Sequence, residues 1–594
     1  MAQKALVVSE ASRDCDPRLT AILDFFEIPW ERVDASALSA PSPVPKEQAY
    51  CVLSPMDVLY RAVKDRWNTA GMPHLLQDAS SVFLFGGEDF EANCSLLSFL
   101  SDGKSMSAPF PGGEIVCAIS EKHTDVCGPF GGLRVPISTY AAKSAAVFFQ
   151  PDAKCEPLIF SKEGCIFASA TISGVRWFIS PSAMLIDIQQ PVQKGYFDIA
   201  DHFFSAVPLV MYLRYAFGDI MSAPPEHSAC LIVDDPVLRQ RYGFFDFRKI
   251  SELCSEHQFT CNIAFIPWNW RRSQPSVVEL FERYPERLSL SIHGCDHTAR
   301  EFGCHSTLSL NTQAKVALQR MGQHQQLTGL EHEPLMIFPQ GVFCSVTPLV
   351  LKHSGFVAAV NTEVSPVDKP SETRICDVWR TAILRYGDFA IYTRRYPSHG
   401  LHNFAFDLLL GKPCLIVTHH SDFHDDNREL LDFIDKLNSL KTLLAWRGLG
   451  DVIRRAYQQR QRDDGISRIT MFGNEIVVEN PGPAARNFLV EKAENDPEAL
   501  DRVEASGERV AYFHENGSVK VEMNLKAGQS ARLRMAYKDL YGEPRARRAV
   551  SDQIKLMGRR YLSEFRDETQ ARAPWIYNGA QRMKRWLSRV SVMQ

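Results

Sequence analysis

Short apolar runs alternate with stretches of helical periodicity along most of the chain. Apolar runs of about four to eight residues are typical of buried strands, and successive parallel strands need a crossover that is usually a helix. The alternation over residues 1–220 therefore predicts an α/β accessory domain. The predicted strands there cover 4–9, 49–54, 81–85 and 145–149, a β-rich stretch follows at about 157–187, and the first predicted helix covers 17–26.

The alternation becomes more regular over residues 221–460. Repeated strand–helix units of this kind predict a distorted, incomplete (β/α) barrel, in which functional side chains follow the carboxyl ends of the strands. Its predicted strands are 230–233, 260–266, 288–292, 335–338, 356–360 and 414–418, and its clearest predicted helices are 276–283 and 310–327.

Residues 461–540 change to a strand-like pattern with partial alternation of apolar and polar positions. Predicted strands cover 469–472, 475–478, 510–513 and 519–523. The dipeptide Asn516-Gly517 between two of these runs is typical of a tight hairpin turn. A small β-sandwich is therefore predicted.

The tail, residues 541–594, is predicted to be helical and basic. It contains 12 Lys or Arg and 5 Asp or Glu, a net charge of +7, with Trp575 and Trp586 among these charges. Such a segment is compatible with a peripheral membrane or polyanion contact. The alternative is a helix that packs on the body of the protein and keeps its basic residues in water.

Composition narrows the class of protein. A length of 594 residues suits about three or four domains, and a formal net charge of −4 gives no indication of nucleic-acid binding. The N-terminus has no apolar core followed by a cleavage site, and no apolar run reaches the roughly 18 residues of a membrane span. The 15 cysteines are scattered without a Cys-x-x-Cys pair. A cytoplasmic protein with reduced thiols is expected.

Two adjacent carboxylates, Asp234 and Asp235, follow the predicted strand 230–233. Two anions at a buried strand end repel each other unless a cation or a proton lies between them. The pair therefore indicates a metal site. The alternative is that Asp-Asp-Pro starts an ordinary turn, since both residue types favour turns.

Two histidines, His293 and His297, follow the predicted strand 288–292. They lie on one face if the chain becomes helical directly after the strand, and imidazoles at that spacing bind zinc or a similar ion. Structural hydrogen bonding is the alternative for a single pair. An aspartate pair and a histidine pair at two strand ends together favour the metal site.

Histidines and a glycine turn follow two further predicted strands. His419 and His420 come directly after 414–418, where a histidine suits general acid catalysis near neutral pH. Gln340 and Gly341 follow 335–338, where a tight turn can direct backbone N–H groups toward an oxyanion. The alternatives are hydrogen-bonding loop histidines and an ordinary strand-to-loop turn.

Two tryptophans, Trp268 and Trp270, follow the predicted strand 260–266. Aromatic rings beyond a strand end either stack on sugar rings or fill the barrel rim, and the sequence does not distinguish these roles.

The central region, with these residues assembled, resembles the polysaccharide deacetylase family, carbohydrate esterase family 4. The Asp-Asp motif of that family implies Asp234 as catalytic base and Asp235 as metal ligand. Its His-Ser/Thr-x-x-His motif implies His293 and His297 as further ligands. Its Leu-x-His motif matches Val417-Thr418-His419 and implies His419 as general acid, with His420 as the alternative if the register shifts by one.

The sequence departs from the family pattern at three places. Pro236 stands where the family has Gly, and Gly294 stands where it has Ser or Thr. The family's Arg-Pro-Pro-Tyr-Gly motif aligns with residues 337–341, so its arginine, which orients the base, is absent. Gln340 occupies the position whose backbone N–H contributes to the oxyanion hole, with Gly341 after it.

The missing arginine needs a substitute if the base is to be oriented. Another arginine, such as Arg380 or Arg385, is the expected substitute for the missing motif arginine.

The resemblance implies a metal-dependent deacetylase, with Zn²⁺ as the first choice of metal. It would act on N- or O-acetyl groups of a carbohydrate in bacterial surface or extracellular polysaccharide metabolism. One alternative is an inactive deacetylase-like subunit for carbohydrate binding or assembly. A second is a glycoside hydrolase on a related barrel, which needs two carboxylates about 5 to 10 Å apart across the scissile bond.

Overall fold

Strands in the first 180 residues form one mixed sheet. The computed structural model describes residues 3–39, 48–65, 71–100, 107–109, 115–137, 147–149, 155–182, 184–303, 306–424, 427–462, 464–543 and 550–572. The strands of this sheet are β1 (Lys4–Ser9), β2 (Trp30–Asp34), β3 (Tyr50–Pro55), β4 (Ser81–Phe85), β5 (Ser107–Pro109), β6 (Ile115–Ile119), β7 (Arg134–Ile137), β8 (Val147–Phe149), β9 (Cys155–Phe160), β10 (Cys165–Ile172) and β11 (Val175–Ser180). Its helices are α1 (Pro17–Phe25), α2 (Met56–Val63), α3 (His74–Gln77), α4 (Phe90–Leu100) and α5 (Thr124–Cys127).

The order of the strands in this sheet is β2-β1-β3-β4-β11-β10-β9-β6-β7, with β5 and β8 beside β10. Strands β2, β1, β3, β4 and β11 are parallel, and the strands beyond β11 are antiparallel. Because β11 pairs with β4, the β-rich stretch near residues 157–187 extends the α/β sheet and does not form a layer of its own.

Helix α6 (Phe203–Phe217) joins this sheet to the rest of the chain. Tyr212 stacks on Phe83 with ring centroids 4.7 Å apart, and the guanidinium of Arg214 donates to the carbonyl of Leu409 at 2.9 Å. The helix therefore has neighbours on opposite sides. This explains why it is apolar nearly all round, a pattern expected of a helix that is buried on every face.

The central strands form a parallel barrel. Its sheet contains β12 (His227–Asp234), β15 (Cys261–Phe265), β16 (Leu288–His293), β17 (Leu335–Ile337), β18 (Ala358–Asn361), β19 (Ile391–Thr393), β20 (Cys414–His419) and β21 (Leu444–Trp446), and a two-stranded hairpin, β13 (Arg241–Tyr242) with β14 (Phe245–Asp246), follows β12. The helices are α7 (Phe247–Glu256), α8 (Pro275–Arg283), α9 (Thr307–Thr328), α10 (Thr347–Ser354), α11 (Ile375–Trp379), α12 (Leu401–Leu409), α13 (Arg428–Asn438) and α14 (Leu449–Arg455).

Seven of these strands follow the order β19-β18-β17-β16-β15-β12-β20. A parallel bridge between Arg395, just beyond β19, and Ile416 in β20 nearly closes the ring. The N–H of Arg395 donates to Leu415 at 2.9 Å, and the N–H of Val417 donates to Arg395 at 2.9 Å. The predicted central (β/α) barrel is confirmed. Strands β19 and β21, which contain three residues each, were not predicted.

The C-terminal strands form two sheets around one apolar core. One has the order β22-β23-β25-β29-β28 and the other β24-β30-β26-β27. They consist of β22 (Gln458–Gln461), β23 (Ser467–Met471), β24 (Glu475–Glu479), β25 (Arg486–Ala493), β26 (Leu500–Ala505), β27 (Glu508–Arg509), β28 (Phe513–Glu515), β29 (Ser518–Leu525) and β30 (Ser530–Tyr537).

The hairpin signal in this region is confirmed. Asn516 and Gly517 have φ of 52° and 71° and connect β28 to β29, with Glu515 opposite Ser518. Both residues of a type I′ turn need positive φ, which Asn and Gly tolerate. The strand predicted over 510–513 was wrong, because the strand begins at Phe513.

Helix α15 (Val550–Arg572) represents the predicted tail and lies on the barrel. Glu564 pairs with Arg272, and Asp567 accepts a hydrogen bond from Tyr242 at 2.8 Å. Trp575 and Trp586 lie outside the described residues. None of the helices described here combines the length and hydropathy needed to cross a lipid bilayer.

Candidate metal and catalytic site

The carboxyl ends of the barrel strands bring the predicted chemistry together. Asp234 ends β12, His293 ends β16 and His419 ends β20. Asp234 lies opposite His419 in register, and His293 lies opposite Ile337 of β17. Since parallel strands end at the same edge, residues far apart in sequence share one mouth of the barrel.

Asp235, His293 and His297 form a compact cluster at this mouth. The Nε2 atoms of His297 and His293 lie 3.0 and 3.4 Å from Oδ1 of Asp235. One donor atom from each residue lies within 4.8 Å of the others. The chain reaches this geometry through left-handed backbone at Asp235 (φ 81°) and His297 (φ 56°).

The cluster fits a divalent metal. Oδ1 of Asp235 is buried and accepts no hydrogen bond among the described residues, although two ring nitrogens point toward it. Nδ1 of His293 lies 3.1 Å from the carbonyl of Ile337, which leaves Nε2 facing the cluster, as in metal-binding histidines. Burial raises the pKa of Asp235, but His297 and His293 hold it well below its ordinary value. Two imidazoles and a carboxylate are a donor set that zinc accepts.

The two histidines do not share a helical face, so that expectation was wrong. Residues 294–297 form an irregular loop in which Gly294 has φ of 65°. A Cβ at Gly294 would lie 2.4 Å from Cγ of Pro339 and 2.5 Å from a carboxylate oxygen of Glu301. The glycine therefore stands where a Ser or Thr would collide.

Glu301 holds this loop and was not found from the sequence. Its carboxylate accepts the N–H groups of Cys295, Asp296 and His297 at 3.0, 2.8 and 3.2 Å. Cys295, Asp296 and Glu301 also bring donor atoms within 4.8 Å of one another. The Glu301 carboxylate is used by the backbone, and Asp296 pairs with Arg320 at 2.6 Å. This second group therefore stabilises the loop of residues 294–297, which we call the metal loop.

Asp234 is oriented by Arg394. The two guanidinium nitrogens each lie 2.7 Å from one carboxylate oxygen, and the two side chains are 3% and 4% exposed. Burial raises the pKa of Asp234, but Arg394 lowers it below its ordinary value. The carboxylate is therefore held as an oriented anion.

The two arginines considered from the sequence do not take this role. Arg385 pairs with Asp377 at 2.7 Å, and Arg380 is exposed. The run Thr393-Arg394-Arg395 at the end of β19 was the available signal. It was missed because β19 itself was not predicted.

His419 and His420 have different surroundings. Nε2 of His419 lies 4.0 Å from Oδ2 of Asp234, its side chain is 37% exposed, and its ring stacks with Tyr396 at 5.9 Å between centroids. His420 is buried with Nε2 3.7 Å from Asp567 of α15. His419 therefore faces the mouth beside Asp234, whereas His420 belongs to the contact with the C-terminal helix.

Gln340 and Gly341 lie in a single 3-10 turn, Pro339–Gly341, directly beyond β17. Gln340 has φ of 58° and is exposed at the mouth. A Cβ at Gly341 would lie 2.7 Å from Cγ of Glu363. The turn is thus packed between the neighbouring strand end and the cluster.

The tryptophans lie at the rim, but only in part as open surfaces. Trp268 packs edge-on against Tyr561 of α15, with ring centroids 6.1 Å apart, and its backbone N–H donates to Cys295 at 3.0 Å. Trp270 is half-buried beneath the guanidinium of Arg271, 4.2 Å from the ring centroid. Trp268 therefore belongs to the contact with α15.

Comparison with known proteins finds solved structures that are similar over about 38% of the chain. No family model matches the chain, and no curated protein matches it. Solved structures of similar fold include a protein described as a polysaccharide deacetylase from Mycobacterium smegmatis, with 13% identity, a TM-score of 0.28, and 38% of this chain and 90% of that chain covered. A CE4 esterase from Streptococcus mutans has 12% identity and a TM-score of 0.25 over 38% of this chain and 87% of its own.

A CE4 family pseudoenzyme from Bacillus anthracis is also similar, with 12% identity and a TM-score of 0.22 over 37% of this chain and 64% of its own. The covered share corresponds to the size of one domain, and the likeness concerns the fold.

Proposed function

We propose that this protein is a metal-dependent deacetylase that hydrolyses N- or O-acetyl groups on a carbohydrate. The observation that carries the proposal is the arrangement at the barrel mouth. A convergent Asp-His-His cluster lies beside an aspartate fixed by an arginine, and a half-exposed histidine stands 4.0 Å from that aspartate.

Asp235, His293 and His297 would hold the metal. Zn²⁺ is the first choice because nitrogen and carboxylate donors suit it, and three protein ligands leave a position for a reactant. A divalent ion bound there supplies Lewis acidity and makes water a stronger acid near neutral pH.

Asp234 would accept the proton of the attacking water on a carboxylate oxygen. The bidentate contact with Arg394 holds that carboxylate in one orientation. It also keeps the group ionised, since a buried carboxyl without a cationic partner would tend to hold its proton. A pure binding site would have no use for this oriented base.

His419 would give a proton to the departing amine or alcohol. Its ring is steadied on one side by Tyr396 and is partly open to the mouth of the barrel. Donation of a proton to the leaving group is the role of the general acid in such a reaction. The backbone N–H near Gln340 is the proposed donor to the oxyanion.

The motif resemblance supports a carbohydrate as carrier of the acetyl group, in bacterial surface or extracellular polysaccharide metabolism. The proposed location is the cytoplasm or the periphery of a membrane. The motif aligned with residues 337–341 lacks the arginine that would orient the base. Arg394 makes that contact with Asp234 instead, which weakens the alternative of an inactive subunit. The glycosidase alternative is disfavoured because Asp234 serves an ion pair and Asp235 a histidine cluster.

Acetate release from N-acetylated chito-oligosaccharides and from acetylated xylan tests the proposal, with reducing ends assayed on the same samples. His293→Ala should lose both bound metal and acetate release. His257→Ala is the matched control, because His257 pairs with Asp435 at 3.0 Å, outside the site. Full acetate release by His293→Ala would refute the proposal. If the unaltered protein binds metal but releases no acetate, the inactive subunit would be favoured. If it produces reducing ends but no acetate, a glycosidase would be favoured.

A further inference from the structure

Helix α15 contacts the barrel mouth through its polar face. Arg272 donates to Glu564, with one of the two contacts at 2.7 Å, and Tyr242 donates to Asp567 at 2.8 Å. The N–H of Gly243 donates to Glu568 at 3.4 Å. Glu564 and Asp567 are buried in this contact. The helix is thus fixed by ionic and hydrogen-bonding contacts beside His420 and the site.

The apolar face of the same helix points away from the barrel. Its large apolar side chains are spaced at helical intervals and form one stripe, which we call the α15 stripe. The stripe consists of Ile554, Met557, Leu562 and Phe565, which are 60, 45, 71 and 70% exposed. An amphipathic helix normally buries such a face, and here the polar face is buried instead.

Positive charge borders the α15 stripe. Lys555 and Arg559 are exposed along one edge of the helix. A cavity of about 620 Å³ lies at its C-terminal end, lined in part by Lys249, Arg572 and the ion pair of Arg241 with Asp246. An apolar stripe bordered by basic residues is typical of helices that lie in the interface of an anionic membrane.

We propose that the α15 stripe docks on the surface of a membrane that contains anionic lipids. The apolar side chains would enter the boundary between headgroups and acyl chains, and the basic edge would contact lipid phosphates. A second copy that packs antiparallel is a poorer occupant, because stripe-to-stripe packing in that direction would bring two basic edges together. Docking would hold the barrel mouth at the lipid surface, and this inference does not depend on the proposed reaction.

Vesicle flotation of the full-length protein tests the proposal. The vesicles contain phosphatidylcholine alone, or phosphatidylcholine with phosphatidylglycerol. Binding is expected with the anionic vesicles and should weaken with salt. The double variant L562E/F565E should lose about tenfold or more of the affinity, because the inserted apolar area is replaced by charge. The double variant K555A/R559A should lose about fivefold per residue on anionic vesicles.

Leu443→Glu is the matched control, because Leu443 is also an exposed leucine, 93% accessible, but lies far from α15 in sequence, just before β21. It should bind vesicles as the unaltered protein does. Failure of the unaltered protein to float with anionic vesicles would overturn the proposal, as would equal binding by L562E/F565E. A dimer that L562E/F565E dissociates in sedimentation analysis, without vesicle binding, would overturn it in favour of a second copy.

Discussion

Arg394→Met leaves the carboxylate of Asp234 buried without its bidentate partner. Methionine fills a similar length of space but donates no hydrogen bond. Two unit charges about 4 Å apart attract each other by about 4 kcal/mol at an effective dielectric constant of about 20. Removal of one partner from a buried pair usually costs about 3 to 5 kcal/mol. We therefore expect Arg394→Met to lower the free energy of unfolding by about 3 to 5 kcal/mol at neutral pH.

The same variant should change the pH dependence of acetate release. Arg394 lowers the pKa of Asp234, so the pair stabilises the fold above the ordinary carboxyl pKa, and this contribution is lost as pH falls through the lowered value. Without Arg394, burial raises that pKa instead. Asp234 must be ionised to accept a proton, so the acidic limb of the rate profile should move toward higher pH.

Thermal unfolding and a pH–rate profile measure these two effects, with Arg395→Met as the control. Arg395 is equally buried, pairs with Asp407 at 2.6 Å and does not contact Asp234. Its replacement should destabilise the fold somewhat less, because Lys412 remains 3.6 Å from Asp407. It should leave the acidic limb in place. Unchanged stability in Arg394→Met, or an equal shift of the limb in Arg395→Met, would refute the reasoning.

Three further predictions concern residues around the site and one buried histidine. Gly294→Ser should lower the unfolding free energy by about 2 kcal/mol or more, because Gly294 has φ of 65° and a Cβ there would collide with Pro339. An unchanged denaturation midpoint would contradict this account. Glu301→Gln should weaken metal binding about 10- to 100-fold in chelator competition, since the carboxylate holds three N–H groups of the metal loop. His324 is buried, and burial lowers its pKa to about 4. Because its folded pKa lies below the ordinary value of about 6.5, stability should fall by about 2 kcal/mol between pH 7 and pH 5, and His324→Gln should remove most of that loss in denaturant titrations at the two pH values.

The parts of the site that sequence reasoning found are local. Asp234 and Asp235, and likewise His293 and His297, each follow an apolar run that is long enough to predict as a strand. A strand end predicts where a side chain will be presented, because the carboxyl ends of parallel strands meet at one mouth. The assumption that a helix follows β16 was wrong, although the two histidines still converge.

The parts that sequence reasoning missed depend on contacts between distant residues. Glu301 looks like an ordinary surface glutamate in the sequence, and only the fold of the loop shows it accepting three backbone N–H groups. The different surroundings of His419 and His420 depend on Asp567, which is contributed by a helix more than a hundred residues later. No local pattern contains that information.

Arg394 shows why the loss of a motif residue is weak grounds for inferring inactivity. The family places the arginine after the strand that corresponds to β17, whereas this chain places it after β19. In the barrel, β20 lies between β19 and β12, and the bridge of Arg395 to β20 brings the end of β19 to the same mouth. From its position beyond β19, the side chain of Arg394 is long enough to reach Asp234. The nearly closed ring of strands therefore lets a guanidinium contact this carboxylate from a strand other than β17.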